Sequence, residues 1–539
     1  MSRRWWVAGA AAAAALIIVG LFMRPRVAEL LGLVASGGEL QLRDPIRPPR
    51  GGPRVLVFAL DGVGEDELLS SIEAGRSPAI RALLGAPDDR AAAGPGVAGP
   101  AGDPAATRHV FPRGYAVPGA LSILPSTTLA AWSAVFTGHP AGMTGVPGNE
   151  WFVRDAMRLY APAPVSVEGT ADALASYTDD LLGSVLVPRT VYELADVRSY
   201  VSLSQFHRGA DLLVVPAADA LDDLVGAVAR GITEDDESVP QEAYRELDLT
   251  AVDNLVEAMG DHGPADLQVV YLPGIDLYTH ISADPIDTQR AYIAAVVDSA
   301  VSRVIEAYRN AGAMDDTFVL FVSDHGHTPV LADDPHALGV GEQDEPTAVL
   351  EQAGFRVRAP ELELDEDERN YQAVVAYQGA FAYVYLADRS TCSAEDDVCD
   401  WNRPPRLAED VLPVVSAFDA ANRTGAGVPA LQGSLDLILA RDGRSTGGGA
   451  APFRVWNGEG LVDMSAWLAA NPRPDLLDFE RRMSALATGP HGDRAGDVLL
   501  IAKSGAERPI EERFYFSSVY RSWHGSATEQ DSRISLLLA

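Results

Sequence analysis

The stretch RVLVFALDGVG, residues 54–64, decides the fold. RVLVFAL is short and apolar, as a strand buried on both faces must be. It stops at Asp61 and Gly62. The same pattern recurs twice further on. ELDLTAVDNLVEAMG, 246–260, has helical spacing and leads into the strand LQVVYLP, 267–273, with Asp276 just beyond. Residues 286–311 space Tyr292, Val296, Val297, Ala300, Val304 and Ile305 as one helical face. They lead into the strand TFVLFVS, 317–323, with Asp324 next. Helix alternating with buried strand predicts an α/β fold, with a mostly parallel central sheet and helices on both faces. Ligands of such sheets collect beyond the carboxyl ends of the strands. Asp61, Asp276 and Asp324 all fall at such ends.

Working outward, LPSTTLAAWSAVFTG, 124–138, predicts a helix with Thr128 in its first turn. In YLPGIDLYTH, one helical turn or a tight loop puts Asp276 and His280 on one face. In FVSDHGH, Asp324 and His325 are adjacent, and Gly326 permits an unusual backbone. SWHGS near the C-terminus adds His524. Carboxylates, imidazoles and one hydroxyl are the O and N ligands that a pair of zinc-like ions needs, with a position left open.

These five segments, in this order, resemble the alkaline phosphatase superfamily, most closely its type I phosphodiesterase/nucleotide pyrophosphatase branch. The resemblance runs from about Pro53 to the C-terminus, with an insertion before the last segment. It implies that Asp61, Thr128, Asp324 and His325 surround one ion, and Asp276, His280 and His524 the other. Thr128 is the implied nucleophile. Ser126 and Thr127 compete with it, and the family's spacing to the Thr137-Gly138 pair favours Thr128. His491, in TGPHGD, competes with His524.

The implied reaction is metal-dependent hydrolysis of a phosphodiester or pyrophosphate bond through a phospho-threonine intermediate. The implied cofactors are two divalent ions, foremost Zn2+, although carboxylate and imidazole also suit manganese or iron. A phosphomonoesterase, a phosphoryl-group transferase and an inactive membrane-tethered relative are the alternatives. The chain departs from the family after the nucleophile. Where the family has Phe-Pro-Asn-His, this chain has Leu129-Ala130-Ala131-Trp132. Ala131 has no side-chain donor, and losing one transition-state donor costs about 3–4 kcal/mol. Asn149, in GNEW, is the candidate substrate-binding replacement. The Cys/Ser-x-Pro/Ala-x-Arg pattern of sulfatases does not occur around Thr128. His139, His327 and His336 read as loop or surface residues.

The chain has 539 residues, enough for one large core with an insertion or for two domains. A net charge of -34 argues against nucleic acid as a partner; the resemblance implies a small phosphoester as substrate. Residues 5–23 form an apolar run flanked by Arg3, Arg4, Arg24 and Arg26. It matches the ~20 residues of a membrane-crossing helix and exceeds the core of a cleaved signal. The expectation is a signal anchor over 1–26 and a linker over 27–53, with a cleaved signal as the alternative. The resemblance places the catalytic domain outside the cytoplasm, periplasmic or extracellular. Residues 54–331 read as the first part of the catalytic core, within which 92–120 form a long loop. Residues 332–490 are an inserted cap region, and 491–539 return to the core. Cys392 and Cys399 predict a small disulfide loop, which would persist outside the cytosol.

Overall fold

The computed structural model describes residues 38–85, 108–163, 180–216, 241–339, 344–360, 364–365, 368–443 and 450–539. The apolar run over 5–23 and most of the loop expected over 92–120 lie outside them. Among the described residues no helix is long and apolar enough to cross a membrane.

Strand Arg54–Leu60 is the spine of a nine-stranded sheet. It pairs in parallel with Leu267–Leu272 on one side and Thr317–Ser323 on the other. Ser199–Ser202 and Leu212–Val214 continue the parallel run. Alternate residues of these strands serve two cores. Leu56, Phe58, Val270, Val319 and Phe321 pack with Val252, Leu255, Val296 and Val304 of the helices on one face. Ala59, Val269, Tyr271 and Val322 pack with Leu129, Trp132 and Phe136 on the other. Burying a Phe or Leu this fully stabilises by about 1.5–3 kcal/mol. This explains why the strands read as continuous apolar runs.

The expectation of a mostly parallel sheet needs correction: the sheet is mixed. Glu39–Gln41 closes one edge antiparallel. On the other edge Leu536–Leu538 returns antiparallel beside Thr317–Ser323, followed by the hairpin Val110–Phe111 and Gly114–Ala116. These segments are two or three residues long. Pieces that short carry no periodic signal, and their partners are remote in the chain.

A second, six-stranded sheet is antiparallel throughout, ordered Ala373–Gln378, Phe381–Leu386, Val498–Ala502, Leu435–Ala440, Arg454–Trp456, Leu461–Val462. The sequence reading returned Val498–Ala502 to the catalytic core. It lies instead in the middle of this second sheet. Five apolar residues suit a buried strand in either sheet, and local sequence does not name the neighbour. Cys392 and Cys399 are disulfide-bonded beside this sheet's core.

Candidate metal centre

Asp61 and Asp324 follow adjacent parallel strands whose registers match through Ser323 and Leu60, so their carboxylates converge. Gly62, at φ +67, turns the chain and points its N–H back at Asp324 Oδ1, 2.9 Å away. The His325 N–H donates to the same oxygen at 3.0 Å. The Tyr271 hydroxyl donates to Asp61 Oδ2. The remaining oxygens, Asp61 Oδ1 and Asp324 Oδ2, are buried without a hydrogen-bond partner. His325 Nε2 lies 3.4 Å from the first and 3.3 Å from the second. His325 Nδ1–H donates to Gly326 O at 3.1 Å, which turns the Nε2 lone pair toward these oxygens.

Two orphaned carboxylate oxygens and an imidazole lone pair aimed at one another repel unless a cation lies between them. Ligands about 2.0–2.1 Å from a tetrahedral ion stand about 3.3–3.5 Å apart, so the donor set fits such an ion. The electrostatics agree. Burial, then the charges of Asp324 and Asp276, hold the Asp61 carboxyl well above its usual range. Burial also raises Asp324 and lowers His325. A divalent cation reverses this for the carboxylates by favouring their ionised forms.

Thr128 opens the helix Thr128–Thr137, which Gly138 ends in the left-handed conformation at φ 71. Its Oγ1 is 3.2 Å from His325 Nε2. The neighbouring hydroxyls are placed otherwise. Ser126 Oγ donates to Ser526 O at 2.7 Å, and Thr127 Oγ1 is buried without a partner.

The second group gathers on the helix Gly274–Ile281, where Asp276 and His280 stand one turn apart. His280 Nε2 is 3.4 Å from Asp276 Oδ2, and His524 Nε2 is 3.8 Å from Asp276 Oδ1. His280 Nδ1–H donates to Ser522 O at 2.7 Å, and His524 Nδ1–H to Ser126 O at 3.2 Å. Burial would raise Asp276, but the facing His280 and His327 outweigh it and hold this carboxyl well below its usual range. Burial, then the His325 charge, pushes His524 well down. The His325 and His524 rings stack with centroids 3.6 Å apart, so the two groups share a wall. His524, not His491, belongs to a group able to hold a metal ion among the described residues. His491 sits in a loop that donates its N–H to Gly142 O.

Asn149 lies at the same helix N-terminus as Thr128. Its Oδ1 accepts the Leu129 N–H at 3.1 Å, and its own N–H donates to Gln378 Oε1 at 2.7 Å. Three residues here were missed by sequence reasoning. His327 is buried against Asp276, not on the surface: its Nε2 is 2.7 Å from Asp276 Oδ1. The one sequence signal was the second His of SDHGH. Tyr271 occupies a strand position indistinguishable from its apolar neighbours. Gln378 comes from the other sheet, far along the chain.

The family model described as type I phosphodiesterase/nucleotide pyrophosphatase matches residues 55–397, more than half of the chain. That range holds every predicted site residue except His524. No curated protein matches the chain by sequence. Among solved structures, murine ectonucleotide pyrophosphatase/phosphodiesterase 5 is similar with a TM-score of 0.46 at 12% identity, covering 90% of this chain and 87% of that one. The same figures hold for an inactive form of the murine protein in complex with AMP. The human counterpart gives a TM-score of 0.44 at 11% identity, with the same coverage. The extent of the family match carries the conclusion: this chain belongs to the type I phosphodiesterase/nucleotide pyrophosphatase family and is a hydrolase acting on phosphoester bonds.

Proposed function

We propose that the chain hydrolyses a phosphodiester or pyrophosphate bond of a small nucleotide-type substrate, with Thr128 as nucleophile. One observation carries the reading. The Thr128 hydroxyl, at a helix N-terminus, faces His325 Nε2 at 3.2 Å, the atom that also faces the two orphaned carboxylate oxygens. Asp61, Thr128, Asp324 and His325 would hold one divalent ion, and Asp276, His280 and His524 a second, with zinc the best fit to these ligands. Bound there, the ions would supply positive charge that favours the Thr128 alkoxide and offsets the charge of the phosphoryl oxygens.

The chain's own groups do the rest. Thr128 Oγ1 attacks phosphorus, the bond to the leaving oxygen breaks, and a phospho-threonine forms. Water then attacks the same phosphorus, releasing phosphate monoester and restoring the hydroxyl. Backbone N–H groups at the start of helix Thr128–Thr137 suit the phosphoryl oxygens. The Asn149 carboxamide, fixed beside them through Leu129 and Gln378, would replace the donor that Ala131 lacks. The disulfide between Cys392 and Cys399 supports a catalytic domain outside the cytoplasm, tethered or exported through residues 5–23.

The test is turnover of paired chromogenic mono- and diesters, with acid quench to trap labelled Thr128. Faster diester turnover and a label at Thr128 are expected. Preference for monoesters, or a label elsewhere, would overturn the reading.

A further inference from the structure

We infer that His327 is a positioning residue: it holds Oδ1 of Asp276 and thereby fixes the carboxylate with Oδ2 turned to His280. The inference rests on the two-ion reading above. Asp276, His325 and His327 stand close enough together to hold a metal ion, but one distance sets His327 apart from the ligands. His325 to Asp61, His325 to Asp324 and His280 to Asp276 are 3.4, 3.3 and 3.4 Å apart. Those match two ligands of one ion, about 3.3–3.5 Å apart. His327 Nε2 is 2.7 Å from Asp276 Oδ1, a direct hydrogen bond with no room for an ion between.

The rest of the ring fits the role. Its Nδ1 is 3.1 Å from Ser522 Oγ. Ser522 Oγ in turn donates to Thr279 O at 3.0 Å, which holds it in place against the ring. On the other side Nε2–H donates to Asp276 Oδ1, since an ionised carboxylate only accepts. Gly62 roofs the pair: a Cβ there would stand 2.6 Å from His327 Nε2 and 2.8 Å from Asp276 Oδ1. The hydrogen bond is shielded from water, which preserves its strength. With Oδ1 held, Oδ2 is the oxygen presented toward His280 Nε2. His327 also stands two residues after His325, so it braces the second group with the segment that builds the first.

The test uses the full chain, stripped of metal, with zinc affinities read by chelator competition. Replacing an outer partner of a ligand typically weakens metal binding about 10–100-fold. His327→Leu is expected to weaken one of two zinc equivalents by that factor and leave the other unchanged. His327→Gln, whose Nε2–H reaches the same oxygen, should bind both within a few-fold of wild type. X-ray absorption should count the same imidazoles per zinc in wild type and His327→Gln. Equal affinities in wild type and His327→Leu would overturn the inference, as would equal losses in the Leu and Gln variants. One imidazole fewer in either variant would make His327 a ligand and overturn it too. Should His327→Leu fail to fold, Ser522→Ala should weaken the same equivalent, and unchanged affinity there would count against the role. A wild type binding fewer than two ions overturns the two-ion reading itself, a result separate from any difference between variants.

Discussion

The two sheets treat the site in opposite ways. The nine-stranded sheet presents chemistry at its carboxyl edge: Asp61 and Asp324 follow neighbouring strands directly, and Asp276 follows a third by a few residues. The six-stranded sheet places no residue in the metal-binding groups among the described residues. Its turn Gln378–Gly379–Ala380 nonetheless touches two pieces of the site. Gln378 Oε1 accepts the Asn149 N–H, and the Ala380 N–H donates to His524 O at 3.1 Å. Gly379 has no room for a side chain, because a Cβ there would lie 2.2 Å from His524 O. Parallel strands bring the candidate ligands together by topology, whereas the antiparallel sheet fixes loops that have no strand end of their own to hold them.

The largest expected effect tests the first region. Thr128→Ala keeps Asp61, Asp324 and His325 but removes the oxygen proposed to attack. Turnover should fall at least about 10³-fold while zinc content stays near wild type. Thr127→Ala and Ser126→Ala should retain most activity. A Thr128→Ala enzyme as fast as the parent would break the nucleophile assignment. The next effect is on metal itself. Asp324→Asn should release the ion near Thr128, seen as loss of about one zinc per chain by elemental analysis. Retention of both ions would break the picture of carboxylates converging at the strand ends.

A smaller effect sharpens the role of the second sheet. Gln378→Ala leaves the buried Asn149 N–H unpaired, at a cost of about 1–3 kcal/mol. Thermal stability and kcat should both fall, with zinc content retained. Unchanged kcat in a destabilised variant would reduce the second sheet to a bystander.

The smallest effect concerns a buried carboxyl behind the site. Asp248 accepts the Gly274 N–H at 3.0 Å and the Tyr292 hydroxyl at 2.9 Å, fixing the start of the helix that carries Asp276 and His280. Burial pushes it up to about 7. An unfolded Asp titrates near ~3.9. Between these values the folded chain holds the extra proton, so stability falls as pH rises. The contribution is complete below pH ~4 and lost by about 7. Denaturant unfolding of metal-free protein across that range should show the decline, and Asp248→Asn should flatten it. An equal slope in both would assign the decline to other groups.

How much of the site was legible depended on where each residue's partner lies. Asp61, Thr128, Asp276, His280, Asp324 and His325 sit in short segments whose own pattern announces them: an apolar strand followed by a carboxylate, or a helix start. A parallel sheet converts that local pattern into convergence, because every strand end points the same way. The family match covers those residues and stops before His524. His524 and His491 look alike in sequence, each followed by Gly. Only the fold separates them, through the Ser126 carbonyl and the Gln378–Ala380 turn.

The sequence by itself determined the α/β class, the strand-end carboxylates and the helix that carries Thr128, since each follows from periodicity within about a dozen residues. The tertiary structure alone decided the mixed character of the sheet, the place of Val498–Ala502, and the contacts of Tyr271, His327 and Gln378. The physical reason is that a hydrogen bond or a strand pairing is made with a partner far along the chain. His327 meets Asp276 across a separation of 51 residues, and Tyr271 meets Asp61 across 210. Nothing in the local order of side chains encodes those meetings.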